Sequence, residues 1–135
     1  MILADTSAWI EYDRATGSNA HIRVRELIRT SGPLVVTEPV IAEVVMGART
    51  DGREAELRRL LNRFDLVAFD AGVDFDGAVR IYRRCRAVGI TPGIVDCMIA
   101  AVAKRNGATL LAHDADLARV ADVFGIELDD ASLPA

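Results

Sequence analysis

Cysteine is scarce in this chain, with only Cys85 and Cys97 among 135 residues. One bridge at most could form, which excludes a disulfide-framed secreted domain, and both are expected to be buried thiols. Aromatic residues make up 5%, too few for a platform that stacks single-stranded bases. Lysine occurs once, as Lys104, and sixteen basic residues against twenty acids leave a net charge of −4. That balance excludes a broad basic surface coating a duplex, though not a local basic rim. Long apolar runs are missing too. Nothing approaches the ~20 residues of a membrane span, and Asp5 interrupts the N-terminus where a signal peptide would need an uncharged stretch. The expectation is a soluble, cytoplasmic protein with no membrane partner.

What is present suffices for a core. Hydrophobic residues form 51% of the chain and charged residues 27%, the balance of a sequence that folds. Its length suits a single domain spanning 1–135. Short apolar runs alternate with longer helical stretches. Strands are predicted at Ile2-Leu3-Ala4, Leu34-Val35-Val36, Leu66-Val67-Ala68-Phe69 and Thr109-Leu110-Leu111-Ala112, with Ile126-Glu127-Leu128 as an edge strand. Helices are predicted over 7–14, 18–30, 38–46, 51–64, 71–87, 95–106 and 116–124. Thr6-Ser7 suits a helix start, Pro39 a first helical turn and Gly107 a helix end. Strands that do not alternate, separated by helices, predict a three-layer α/β/α fold with a short parallel sheet of four to five strands.

In such open sheets, sites lie beyond the carboxyl ends of the strands. Asp5 directly follows the first strand, and Asp114 and Asp116 follow the fourth. Asp96 opens a helix that is apolar beyond it, and Glu43 lies in the apolar helix Pro39-Val40-Ile41-Ala42-Glu43-Val44-Val45. Each acid also has a structural explanation. Asp5 could be an N-cap, Asp96 a helix-dipole partner, Asp114 and Asp116 turn and cap residues, and Glu43 part of a solvated face. The joint pattern says more than its members. Carboxylates held together resist ionisation unless a cation joins them, and an all-oxygen donor set suits Mg²⁺, with Mn²⁺ as a substitute. Magnesium keeps several waters, so Asp5 and Asp96 are expected as its direct ligands. Such a site suits phosphoryl transfer, in which an ion-activated water attacks phosphorus. Substrate phosphates elsewhere would need arginines, for which Arg14, Arg23, Arg25 and Arg29, or Arg80, Arg83, Arg84 and Arg86, are candidates beside their plain reading as solvated faces.

At these residues the chain resembles the PIN-domain ribonucleases of the VapC toxin type, over essentially its whole length. The resemblance rests on Ile2-Leu3-Ala4-Asp5-Thr6-Ser7-Ala8-Trp9-Ile10, Glu38-Pro39-Val40-Ile41-Ala42-Glu43-Val44-Val45-Met46-Gly47, Gly93-Ile94-Val95-Asp96-Cys97-Met98-Ile99-Ala100-Ala101 and Leu110-Leu111-Ala112-His113-Asp114-Ala115-Asp116-Leu117, in the family's order. It implies an acidic quartet of Asp5, Glu43, Asp96 and Asp114, with Asp116 as an auxiliary acid and Thr6 or Ser7 assisting near the ion or phosphate. It further implies a Mg²⁺-dependent endoribonuclease that cuts structured RNA such as tRNA or rRNA loops, dimerises, and is blocked by a VapB-type antitoxin. Two positions depart from the family's fourth motif: Ala112 stands where Thr or Ser is common, and Leu117 where an aromatic is usual.

Other side chains near these motifs have simpler roles. A general-base role for His113 competes with a structural one. His21 has no supporting constellation, Cys97 has no ligand partners at metal-site spacing, and Trp9 and Tyr12 are expected in the core. An aspartyl phosphatase would want a second acid two residues after Asp5, where Ser7 stands. A phosphorylated receiver domain would want a lysine after the last strand, and Lys104 lies inside a helix. A catalytically silent PIN-like scaffold that binds RNA or a protein partner is the remaining alternative.

Overall fold

The shortest apolar run, Ile2–Ala4, becomes the strand that organises the molecule. In a computed structural model, which describes residues 1–132, this β1 is buried along its whole length. It pairs in parallel with β2 (Leu34–Val36) on one side and β4 (Thr109–Leu111) on the other. A two-residue β3 (Asp65–Leu66) completes the order β3-β2-β1-β4. Residues 133–135 of the expected domain lie outside the described residues. The expected edge strand over 126–128 reduces to one parallel bridge, Leu110 to Leu128, so the sheet has four strands and a fringe.

Seven helices are seen among the described residues: α1 (Thr6–Asp13), α2 (Asn19–Arg29), α3 (Glu38–Met46), α4 (Asp51–Leu61), α5 (Asp74–Ala87), α6 (Ile94–Asn106) and α7 (Ala115–Phe124). The chain steps outward from β1 to β2 to β3, then returns across the sheet to β4. With right-handed crossovers, that reversal puts α1 to α4 and the α5–α6 pair on opposite faces. Both faces of the sheet are therefore covered, and β1, β2 and β4 carry apolar side chains on both sides, while the edge strand β3 is exposed. The core follows: Leu3, Val36, Leu110 and Leu111 from the sheet meet Trp9, Leu61, Ile99 and Val120 from the helices, all at most 1% exposed. Trp9 stacks edge-on to Tyr12 and tilted on Phe64.

Several boundaries move from the sequence prediction, each for a visible reason. The third strand is not 66–69, because only Val67 N–H beyond Leu66 still bonds to β2, at Val36 O (2.7 Å). Phe69 N–H instead donates to the Glu38 carboxylate and Asp70 N–H to Asp74. Two side chains thus take the donors a longer edge strand would have used. α5 starts at Asp74 rather than Ala71 because Asp70 turns the chain, accepting from Gly72 N–H. α4 stops at Leu61 with Asn62 as its C-cap, and the predicted residues 63 and 64 close i→i+3 turns onto Leu60 O and Leu61 O. Gly107 closes α6 in the left-handed conformation (φ 63°), as its position in the sequence suggested.

Candidate active site

The order β3-β2-β1-β4 has one switch point, between β1 and β4, where the chain leaves the two strands in opposite directions. A crevice is expected beyond their carboxyl ends. Asp5 stands there, 2% exposed, its N–H bonded to Leu111 O across the two strands (3.0 Å). It also caps α1, since its Oδ1 accepts from Ala8 N–H (3.0 Å) and from Ser7 Oγ (2.6 Å). The capping role and the site role coexist, because both bonds use Oδ1. Among the described residues Oδ2 takes no bond, and it is not sealed from solvent.

Ser7 and Thr6 divide the supporting work. Ser7 Oγ donates to Asp5 and accepts the main-chain N–H of His113 (2.8 Å), so one hydroxyl ties the first acid to the loop that carries the last. Thr6 Oγ1 donates to Glu43 Oε1 (2.5 Å), fixing an acid 37 positions away. Glu43 is half-buried on α3, and α3 packs against α6. Asp96 lies in the first turn of α6, also half-buried. Asp114 is the N-cap of α7 and accepts from Asp116 N–H (2.8 Å) and Leu117 N–H (3.3 Å), again through one oxygen.

The electrostatics mark the same group. Burial pushes the Asp5 carboxyl up to about 7, offset in part by its hydrogen bonds, with the charge of Asp96 adding to the rise. Burial, and after it the charges of Asp114, Glu43 and Asp116, raises Asp96 to about 6. Four of the acids predicted from sequence, Asp5, Glu43, Asp114 and Asp116, therefore lie within electrostatic reach of the fifth, Asp96. Among the described residues Asp5, Glu43, Asp96 and Asp114 form no ion pair with any Arg, Lys or His. Asp116 differs: it is exposed and pairs with Arg119. Among the described residues no three His, Cys, Asp or Glu side chains close into a ready-made cage for an ion. The donor set instead offers carboxylate oxygens left over after capping. That fits a hard cation which keeps most of its water and takes few direct carboxylates.

The sequence missed how the fourth loop is held. Where a hydroxyl residue was expected at 112, Ala112 N–H donates to Ser132 Oγ (3.1 Å), and Ser132 Oγ donates to Leu110 O (3.2 Å). His113 Nε2 lies 3.3 Å from Glu11 Oε1 on α1. Ser7 and Glu11 are one helical turn apart, which was the available signal for a shared partner. The structure therefore gives His113 a holding role. His21 Nδ1 accepts from Gly17 N–H (2.9 Å) beside Tyr12, also a structural position. Both cysteines are buried free thiols. The early arginine set does not form a free rim as a whole, since Arg23 pairs with Asp129 and Arg29 with Glu26.

The PIN domain family model matches residues 2–123. The chain is 41% identical over 129 residues to the VapC ribonuclease Mb1587 of Mycobacterium bovis, covering 94% of this chain and 96% of that protein. The same figures hold for ribonuclease VapC11 of Mycobacterium tuberculosis. Among solved structures, the DNA-bound VapBC of Salmonella typhimurium superposes with a TM-score of 0.76 at 20% identity, over 96% of this chain and 97% of that one. VapBC2 of Rickettsia felis, bound to a promoter DNA fragment, gives 0.73 at 18%, over 96% and 98%.

Proposed function

The chain belongs to the PIN domain family, and from that membership we propose that it is a Mg²⁺-dependent endoribonuclease, the toxin of a toxin–antitoxin pair that cuts structured cellular RNA such as tRNA or rRNA loops. What supports the proposal is that Asp5, Glu43 and Asp114, each from a separate segment, lie within electrostatic reach of Asp96 on a fourth, and that among the described residues none of the four has an ion-pair partner. An acid cluster without internal cations is costly to keep ionised, and a divalent ion offsets that cost. Asp5 and Asp96, the two acids most disfavoured as anions, would hold it.

When bound, the ion supplies charge to neutralise phosphate oxygens and lowers the pKa of water. The chain's own residues do the placing. Ser7 orients Asp5 and Thr6 orients Glu43. Glu43 and Asp114 each keep one carboxylate oxygen free to orient a water. Attack by water leaves 5′-phosphate and 3′-hydroxyl ends. The partner in this proposal is a VapB-type antitoxin, and the toxin works as a homodimer. The unpaired carboxylates of Asp5, Asp96 and Asp114 are the natural target for an inhibitor's arginine, because guanidinium binds carboxylate through two parallel bonds.

The test is end-mapped sequencing of cellular RNA after expression of the protein and of its Asp5→Asn variant. Discrete 5′-phosphate ends that disappear in the variant are expected. Ends that persist in the variant, or 2′,3′-cyclic phosphates, would overturn the mechanism.

A further inference from the structure

The acid site meets a substrate of its own sign, and the whole chain carries −4. A phosphodiester approaching such a surface needs a positive foothold beside it. Two arginine sets were legible in the sequence, and the structure separates them. On α2, Arg23 and Arg29 are spent on Asp129 and Glu26. On α5, Arg80, Arg83, Arg84 and Arg86 are all exposed, and none forms an ion pair among the described residues. Acids that could neutralise them are near in sequence or space. Asp76 sits one turn before Arg80, and Asp122 lies on α7, yet neither pairs with them.

Geometry makes these arginines a surface. Arg80, Arg83 and Arg84 are spaced i, i+3, i+4, so they share one helical face. With Phe124 they line an open hollow of about 520 Å³. Two guanidinium groups are braced on rings: Arg84 lies 5.9 Å from the centre of Phe124, and Arg86 lies 5.9 Å from that of Tyr82. Such bracing lowers the entropy lost on binding an anion. α5 runs antiparallel to α6, with Asp74 on Arg105 and Gly77 against Ala101. Its arginine-bearing half therefore climbs toward the end of α6 that carries Asp96, while Phe124, whose carbonyl accepts from Lys104 Nζ (2.9 Å), closes the hollow at the opposite end of α6 and α7, so the hollow stands back from the acids along the helices.

We propose that the α5 hollow formed by Arg80, Arg83, Arg84 and Phe124 is the docking surface for the RNA backbone, holding about three phosphates while the acids act on another. The proposal rests on the ribonuclease reading for its ligand. A polyanion is favoured because three of the four lining residues are exposed arginines with no ion pair among the described residues, so their charge is free for a ligand of opposite sign, and an acidic protein segment is the competing outcome of the test.

The experiment measures binding without cleavage, in EDTA, of a fluorescein-labelled RNA hairpin with an eight-nucleotide loop. Fluorescence anisotropy follows Kd from 50 to 300 mM KCl. The variants are the triple R80Q/R83Q/R84Q and, as a control, R25Q/R29Q on α2. Glutamine keeps helix propensity, and all five side chains are exposed, so melting curves should coincide with wild type. For the α5 triple we expect about tenfold weaker binding at 50 mM KCl and a salt slope smaller by about 2, the value for three phosphates on a single strand. The α2 control should change Kd less than twofold. Equal Kd and slope for the α5 triple and wild type overturn the proposal, as does a wild type that fails to bind the hairpin. So does a wild type that binds labelled poly-glutamate more tightly than the hairpin through the same arginines. The two claims fail separately. If wild type with Mg²⁺ leaves cellular RNA uncut but binding still depends on the arginines, the cleavage proposal falls and the docking surface stands. If cleavage depends on Asp5 but binding ignores the arginines, the reverse holds.

Discussion

Asp5 is a carboxyl held against its own charge. Burial lifts it from 3.8 to about 7, so between those values the folded chain binds a proton that the unfolded chain has released. Stability of the metal-free protein should therefore fall as pH rises from about 4 to about 7, then level off. Urea denaturation in EDTA at pH 5 and pH 8 should show a loss on the order of a few kcal/mol, and Asp5→Asn should remove most of that difference. A variant with the same pH dependence as wild type would refute the assignment. Asp74 acts in the opposite sense: Arg105 holds its carboxyl low, and that contribution is lost only as pH falls below the ordinary carboxylate range. Ser7 offers a second test at this scale. Ser7→Ala removes the donor to Asp5 and leaves His113 N–H without its acceptor. The expected results are about 1–2 kcal/mol less stability by urea denaturation and tenfold or more slower cleavage at saturating Mg²⁺. Unchanged cleavage would mean that Ser7 only ties the first and fourth loops together.

At the scale of elements, α5 and α6 show how an ion pair and a close approach set helix position. Arg105 on α6 grips Asp74 through two bonds (2.9 and 2.8 Å) and also donates to Ala68 O. Asp74 is 2% exposed, so removing its partner strands a charge. Arg105→Ala should cost about 2–4 kcal/mol, whereas Arg29→Ala, which breaks a surface pair with Glu26, should cost under about 1 kcal/mol. Thermal melts of both variants decide the matter, and equal losses would count against the buried clamp. Long helices such as α2 and α6 were legible from periodicity and their ends. β3 was not, because an edge strand with one neighbour is decided by which side chains compete for its N–H groups. Glu38 and Asp74 do so from either side in sequence, and no local pattern announces it.

For the whole molecule, the unpaired acids predict a stabilising response to a divalent cation. At pH 8 millimolar Mg²⁺ should raise Tm by a few degrees, through binding that favours the folded state. Asp96→Asn should abolish the rise while leaving the fold intact. A wild-type Tm that ignores Mg²⁺ would argue that the cluster holds no ion. No helix among the described residues is long and apolar enough to cross a membrane, in keeping with the absence of apolar runs in the sequence.

The sequence by itself determined the order of the helices and of three of the four strands, and that four separate segments each carry an acid. Period and punctuation are local properties, carried by neighbouring residues. The tertiary structure alone decided what those acids are free to do. It showed that Ser7 joins the first and fourth loops and that Ser132 replaces the hydroxyl missing at Ala112. It also showed Arg119 engaging Asp116 while Asp114 has no cationic partner among the described residues, and α2 spending arginines that α5 keeps. Those outcomes depend on which distant side chain arrives first at a given charge or hydrogen-bonding group, and only the folded chain sets those distances.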